Sequence, residues 1–354
     1  MGLPARRATR LRRFLRSPTT SDVTVAVLVP ATAAIFGLVL EDAIPKPGDP
    51  QLFSPARIAV WLFLTVALIA AVYRRRQVYG DSGTLFSVSF LDETMRDFHE
   101  QALDDAERDH MALRVIGRRL DLQARENNGL IDVVEPRREL SRALEDGLNQ
   151  DRDDTGYAMA PNVLWPAALA VGASLTRAKN IKFIEFGLVR EAFVPRLRSS
   201  SAETDAFTIT HVETCALECP TGDRHGIYLG FTRNARKFDP ALAFGLFGVR
   251  DATLITPASG DPEAALGGRE LEQLGWEVGH LLASARRERP GRELVIVAFL
   301  PKTVSLLAGW YVSRAQLRFF ADTHLMFRLN DEHPFRALRV HPSQPTHFPS
   351  VAEG

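Results

Sequence analysis

Two long apolar runs near the start of the chain dominate its hydrophobic pattern. Residues 23–40 and 58–73 contain no charged side chain over 18 and 16 positions. At about 1.5 Å of rise per helical residue, the first run is about 27 Å long, close to the thickness of a bilayer's hydrocarbon core. No polar stripe at helical spacing interrupts either run, which disfavours a pair of soluble core helices. The pattern therefore predicts two transmembrane helices joined as a hairpin.

The charges that flank these runs predict their orientation. Six arginines lie between positions 6 and 16 and three more occupy positions 74–76, whereas the intervening loop is acidic on balance. Positively charged flanks stay in the cytoplasm, so both termini are expected there and the loop outside. A cleaved signal peptide is the alternative for the first run. Its apolar stretch is long for that role, and a second run follows at once.

From residue 84 onward, short apolar stretches with strand character alternate with helical patterns. This alternation predicts an α/β fold of mostly parallel sheets with helices on both faces. Residues 195–205 read as a linker, which divides this part into lobes 84–194 and 206–330. The predicted strands are 85–90, 129–135, 181–186, 225–232, 251–257, 292–300 and 316–322, with an edge hairpin at 324–329; the predicted helices are 93–117 (capped by Asp92 or Thr94), 136–149, 163–176, 238–248, 270–288 and 302–314.

The two lobes share an internal match. LAVGASLTRA at 169–178 aligns with LLAGWYVSRA at 306–315, a shift of 137 residues. Each segment ends a predicted helix and precedes a basic, apolar stretch, and the lobes' first strands are spaced about 140 residues apart. Chance similarity between two helices rich in alanine and leucine is the alternative. The common order and spacing of the elements favour a duplicated Rossmann-like unit.

Composition and motifs narrow the function classes. The formal net charge is +0, from 43 basic and 43 acidic residues, which disfavours a nucleic-acid-binding protein. The two cysteines, Cys215 and Cys219, have no zinc-finger partners, and the nine histidines show no metal-ligand spacing. P-loop, dinucleotide-binding, nucleophile-elbow and H-E-x-x-H motifs are missing from the sequence. We therefore expect no catalytic residues, no metal and no cofactor.

Binding chemistry at the ends of the predicted strands remains. Parallel sheets bind ligands beyond the carboxyl ends of their strands, where helix N-termini offer free N–H groups to a phosphate. Lys302 follows the most apolar strand and adds a positive charge, while Trp165 at the matching place in the first lobe can stack on a base. The alternative role for these residues is helix capping. The predicted ligand-binding residues are Asp92, Thr94, Asn162, Trp165, Thr232, Arg233, Pro301, Lys302, Thr303 and Ser305.

Residues 84–342 resemble the SAVED domain, a cyclic-oligonucleotide sensor of bacterial CBASS antiphage systems. The resemblance is carried by APNVLWPAALAVGASL at 160–175 and ELVIVAFLPKTVSLLAGWYVSRAQLRFF at 293–320. These segments look like the family's apolar strand, proline-bearing turn, small-residue helix and following strand. The resemblance implies two fused CARF-like lobes, in agreement with the repeat. Residues 1–80, the basic N-terminus and hairpin, occupy the effector position, as in the transmembrane-SAVED class.

The resemblance implies an antiphage effector of the bacterial inner membrane. A cognate nucleotidyltransferase would supply a cyclic di- or trinucleotide, whose binding would drive homo-oligomerisation, gather the hairpins and disrupt the membrane to cause abortive infection. No nucleic-acid partner is expected. Two alternatives stay open from the residues alone: a membrane-tethered enzyme with a nucleotide-type ligand, and a non-catalytic scaffold that docks a cytosolic partner.

Overall fold

The structure is a computed structural model of the 354-residue chain. It divides into two compact units, one of Met1–Thr84, Asp105–Ala112 and Arg152–Tyr157 and one of the remaining residues. The structure describes residues 18–42, 54–81, 83–109, 111–151, 156–176, 181–186, 191–193, 207–217, 222–261, 266–315, 318–328 and 334–350. The predicted linker at 195–205 and Cys219 lie outside these residues.

The two apolar runs form helices α1 (Pro18–Asp42) and α2 (Pro55–Asp81), which pack against each other. Within them, Thr20–Glu41 and Pro55–Arg76 are each 22 residues long, with mean hydropathies of 2.4 and 2.1. The hydroxyl of Thr32 donates to the carbonyl of Leu28 at 2.7 Å, so the helix satisfies this polar group internally. The prediction of two apolar helices is confirmed, and their length and composition suit a membrane span.

The first lobe builds a five-stranded sheet in the order β2-β1-β5-β6-β7, in which β6 and β7 are antiparallel. Its core holds fully buried side chains such as Phe86, Phe90 and Phe183. The elements are β1 (Thr84–Asp92), α3 (His99–Asp109), β2 (Ala112–Leu120), β3 (Glu126–Asn127), β4 (Leu130–Asp132), α4 (Val134–Gln150), β5 (Tyr157–Val163), α5 (Trp165–Ser174), β6 (Ile181–Glu185) and β7 (Glu191–Phe193).

The second lobe carries an eight-stranded sheet in the order β3-β4-β13-β12-β11-β9-β10-β8, completed by the short strands β3 and β4. Strands β10, β9, β11 and β12 are parallel, and β8 and β13 flank them antiparallel. The elements are β8 (Thr210–Ala216), β9 (Arg224–Gly230), a 3-10 helix (Arg233–Lys237), α6 (Pro240–Leu246), β10 (Val249–Pro257), α7 (Gly268–Glu288), β11 (Leu294–Phe299), α8 (Lys302–Arg314), β12 (Thr323–Phe327) and β13 (Arg336–Arg339).

The α/β fold class with two Rossmann-like lobes is confirmed, and the two matched segments are the helices that join the lobes. Helices α5 and α8 pack so closely that a Cβ atom added at Gly172 would strike the carbonyl oxygen of Leu306. A Cβ atom added at Gly309 would strike the carbonyl oxygen of Leu169 in the same way. Both partners of each contact are 137 residues from their counterparts, so the contact is a reciprocal one between equivalent glycines.

Three predicted elements are wrong. The helix predicted at 93–117 begins at His99, so neither Asp92 nor Thr94 caps it, and its second half is strand β2. Strand β2 lies at the edge of its sheet and buries Ile116 and Leu120, four residues apart, which mimics helical spacing. Strand β5 was missed because Pro161 interrupts its pattern. Residues 318–322 form turns, and the strand predicted there lies at Thr323–Phe327 instead.

Candidate functional site

A cavity of about 400 Å³ lies where the carboxyl ends of β1, β5, β9, β11 and β12 approach one another. Both lobes contribute to its wall, as the parallel-strand rule predicts for a duplicated sheet. The lining residues are Leu91, Met95, Arg96, Phe98, Asn162, Val163, Leu164, Trp165, Thr232, Asn234, Val297, Ala298, Phe299, Leu300, Lys302, Met326, Phe327, Arg328 and Phe335.

The described lining is cationic and aromatic. It contains three basic residues, Arg96, Lys302 and Arg328, and no acidic residue. Five aromatic side chains, at positions 98, 165, 299, 327 and 335, supply flat apolar surface. Cations attract phosphate, whereas aromatic faces stack on bases with little regard to which base is present. The lining therefore suits an anionic ligand that carries planar rings.

Lys302 connects the two lobes at the floor of this cavity. Its ammonium group donates to Oδ1 of Asn162 at the end of β5 and lies 4.6 Å from the ring centre of Phe98. Burial lowers the pKa of Lys302 below its ordinary value, and the carboxylates of Glu185 and Asp97 only partly oppose this effect. The position places one cation between an amide and an aromatic ring, ready to meet an anion.

The amino terminus of α8, predicted to offer free N–H groups to a phosphate, is already capped by the protein itself. One carboxylate oxygen of Glu185 accepts hydrogen bonds from the amide and the hydroxyl of Thr303, at 2.8 and 2.6 Å. The other oxygen accepts from the amide of Lys302 at 3.3 Å. Burial raises the pKa of Glu185, although the bonds from Thr303 and the charge of Lys302 oppose it.

The remaining predicted residues of α8 are occupied by structural contacts. Thr303 and Ser305 are fully buried, and the hydroxyl of Ser305 donates to the carbonyl of Pro301 at 3.2 Å. Pro301 precedes the helix as its N-cap residue and is not part of the cavity lining. Of the four residues predicted in this segment, the structure places only Lys302 at the cavity.

Asp92 and Thr94 lie together at the end of β1 but outside the cavity lining. The carboxylate of Asp92 accepts hydrogen bonds from the hydroxyl of Thr94 at 2.5 Å and from the amides of Thr94 and Leu122, each at 3.1 Å. Burial alone raises the pKa of Asp92, but these bonds outweigh it and lower the pKa below the ordinary 3.8. The geometry is that of a turn held by a buried carboxylate.

The other predicted residues divide between the cavity and its surroundings. Asn162 and Trp165 line it; the indole of Trp165 donates to the carbonyl of Met326 at 3.2 Å, a second bond between the lobes. Thr232 lines it from the end of β9. Arg233, the next residue, is exposed and is not among the lining residues.

Sequence reasoning missed several lining residues, chiefly Arg96, Phe98, Arg328 and Phe335. Arg96 and Phe98 fell inside the helix wrongly predicted at 93–117, whereas they occupy the loop between β1 and α3. Arg328 follows β12, which the sequence reasoning had treated as an edge hairpin. A correct assignment of β12 as a parallel strand would have placed Arg328 at a carboxyl end, where ligand contacts are expected.

Comparison with solved structures finds Cap4 SAVED/CARF-domain containing receptors. An Acinetobacter baumannii receptor with the cyclic trinucleotide 2'3'3'-cAAA matches 78% of this chain at 10% identity and a TM-score of 0.41. The same receptor with 3'3'3'-cAAA gives 9% and 0.41. A Moraxella osloensis receptor gives 9% and 0.38 over 80% of this chain. This chain spans 55%, 55% and 58% of those three chains. Neither a family model nor a curated protein matches the sequence.

Proposed function

We propose that this protein is a membrane-anchored sensor that binds a cyclic oligonucleotide in the cavity between its two lobes. The observation that carries the proposal is the lining itself, which combines three cations and five aromatic rings with no acidic residue among its described members. A cyclic oligonucleotide presents phosphates and stackable bases in one compact ring. The volume of about 400 Å³ falls within the range of about 300–1000 Å³ typical of small-molecule sites.

We propose further that binding acts by bringing copies of the chain together in the bacterial inner membrane. The exposed apolar side chains of the hairpin, such as Val27 at 61% and Phe63 at 72%, suit contact with lipid or with other hairpins. Two spans cannot enclose a pore, so a membrane-disrupting action requires several hairpins. This action needs no chemical step on the ligand, and the protein is proposed to be a non-enzymatic effector of antiphage defence.

The ligand proposal is tested by calorimetry on the full-length chain in detergent. The probes are 2'3'3'-cAAA, 3'3'3'-cAAA and a panel of cyclic dinucleotides. We expect at least one to bind below about millimolar Kd. Arg96→Ala and Lys302→Ala should each weaken that binding by about 1–3 kcal/mol, because charge-assisted hydrogen bonds to phosphate have that strength.

Arg233→Ala is the matched control for Arg96→Ala. Arg233 is also an exposed arginine close to the cavity, but it is not part of the lining. Its removal should leave the Kd unchanged within about twofold, since a charge outside the site is screened by salt. Absence of binding by every probe, or equal losses in the two variants, would contradict the site.

The effector step is tested by dye release from liposomes of anionic bacterial lipids that contain the full chain. We expect the binding nucleotide to increase particle size and dye release together. Release without nucleotide would favour a constitutive scaffold, and conversion of the nucleotide to a new product would favour the enzyme. Binding without assembly or release would keep the sensor and discard the membrane-disrupting role.

A further inference from the structure

A second cluster of polar side chains lies at the opposite ends of the second lobe's strands. Glu293 directly precedes β11, and His324 is the second residue of β12, in register with Val295. His347 comes from the segment that follows β13. One ligand atom from each of these three side chains lies within 4.8 Å of those of the other two. The three residues are far apart in sequence, so no spacing motif could announce them.

The buried histidine of this cluster has an unsatisfied ring nitrogen. His324 is only 2% exposed, and among the described residues its Nε2 has no hydrogen-bond partner. The nearest oxygen of Glu293 lies 3.6 Å away, which is too long for a hydrogen bond. Buried polar atoms in native proteins nearly always have a partner, which includes bound ions. An Nε2 aimed at a carboxylate and a second imidazole indicates that something belongs between them.

The distances match those around a tetrahedral metal ion. Nε2 of His324 lies 3.6 Å from Oε2 of Glu293, and Nε2 of His347 lies 3.5 Å from Oε1. A tetrahedral zinc ion with ligand bonds of about 2.0–2.1 Å holds its ligand atoms about 3.4 Å apart. The three side chains therefore need to move by only tenths of an ångström to ligate one ion.

A neighbouring arginine orients the carboxylate. Nε of Arg224 donates to Oε2 of Glu293 at 2.5 Å, and the same side chain donates to the carbonyls of Phe247 and Ser350 at 3.0 and 2.9 Å. Carboxylates that bind metals are themselves commonly held by hydrogen bonds of this kind. With Oε2 held by Arg224, Oε1 remains turned toward His347 as a metal ligand.

We propose that Glu293, His324 and His347 bind a Zn²⁺ ion that fastens the C-terminal segment to the second sheet. Two imidazoles and one carboxylate favour zinc over calcium or magnesium, which prefer oxygen ligands. The side chain of His347 is 57% exposed, so a water molecule can complete the coordination from the solvent side. The site is independent of the nucleotide cavity, which lies at the other ends of the strands.

The test uses the full-length chain in detergent, purified without a polyhistidine tag and stripped with a chelator. Titration with ZnCl₂ in a calorimeter should show one ion per chain, and zinc should raise the midpoint of thermal unfolding because it binds only the folded state. Co²⁺ in place of Zn²⁺ should give the intense visible absorption of a four-coordinate ion.

His347→Ala removes the exposed ligand with little risk to folding, and it should weaken zinc binding by at least about 10–100-fold, the range for losing even an outer partner. The matched control is His211→Ala, another exposed histidine, on β8, which should bind zinc as the wild type does. Glu293→Gln provides a second variant and should abolish the four-coordinate cobalt spectrum. Failure of micromolar zinc to bind, or equal affinity in His347→Ala, overturns the proposal.

Discussion

The two lobes place different side chains at equivalent positions. Trp165 and Lys302 are the first residues of α5 and α8, 137 positions apart, and each reaches across to the other lobe. At the helix in the second lobe the N-terminus is capped by Glu185, which the first lobe supplies. At the helix in the first lobe the N-cap, Leu164, makes no side-chain cap hydrogen bond. A duplicated scaffold has thus become an asymmetric site.

The ends of the first strands show the same difference. Asp92 ends β1 and is buried in its own turn, whereas Thr232, 140 positions later, lines the cavity. Both first-lobe acids, Asp92 and Glu185, are occupied by internal hydrogen bonds. The comparison teaches that the site keeps its acids satisfied inside the protein and faces the ligand with cations. Three substitutions test it, in order of expected effect.

The largest effect is expected where the equivalent helices meet. Gly172→Ala should lower the free energy of unfolding by about 3 kcal/mol or more, because the new methyl strikes the backbone carbonyl of Leu306, which cannot turn aside as a side chain can. Thermal unfolding of the detergent-solubilised chain, followed by tryptophan fluorescence, measures the change.

Gly245→Ala in α6 is the control, since no heavy atom lies within 4 Å of its added Cβ. Alanine is the better helix former, so this variant should be neutral or more stable by up to about 1 kcal/mol. If Gly172→Ala behaved in the same way, the close reciprocal contact between α5 and α8 would be refuted.

The next effect concerns Asp92. Asp92→Asn should cost about 1–2 kcal/mol of stability at pH 7, since it weakens hydrogen bonds to a charged acceptor. The folded-state pKa of Asp92 lies below 3.8, so its contribution is present above that pH and is lost as the pH falls through the folded value. Urea titrations should show the gap between wild type and variant narrowing below pH 3.8. A gap independent of pH would exclude the charge as its cause.

The smallest effect is expected for Glu185, with the opposite dependence on pH. Burial raises the pKa of Glu185 above 4.5, so its ionisation opposes folding and wild-type stability falls, relative to Glu185→Gln, as the pH rises above 4.5. The net change at pH 7 should stay below about 1 kcal/mol, because relief of desolvation offsets the weaker hydrogen bonds. Urea titrations at pH 4 and pH 7 measure this difference. A wild type that gains on the variant with rising pH would contradict the raised pKa.

Much of the fold was predictable because its signal is local. The 18-residue uncharged run predicted α1, and the apolar stretch before Pro301 predicted β11 and the start of α8 at Lys302. The repeat contained more than was used. A shift of 137 carries β2 (Ala112–Leu120) onto β10 (Val249–Pro257) and β5 onto β11, so it could have corrected both wrong elements. Edge exposure and Pro161 obscured them only when each lobe was considered alone.

The candidate site was predictable in its position but not in its contacts. Strand ends were the right place for Asn162, Trp165, Thr232 and Lys302, all of which line the cavity. The capping of α8 by Glu185 was not foreseeable, because the two partners lie more than 115 residues apart and meet only through the packing of the lobes.

The sequence by itself determined the two apolar helices, the alternation of strands and helices and the duplication, since each depends on periodicity within a short segment. Only the tertiary structure decided which polar groups are spent on one another, as with Glu185 and Thr303, and which converge, as with Glu293, His324 and His347. The reason is physical. Hydrogen bonds and ion sites depend on sub-ångström distances between side chains, and these distances arise only when the sheets and helices pack.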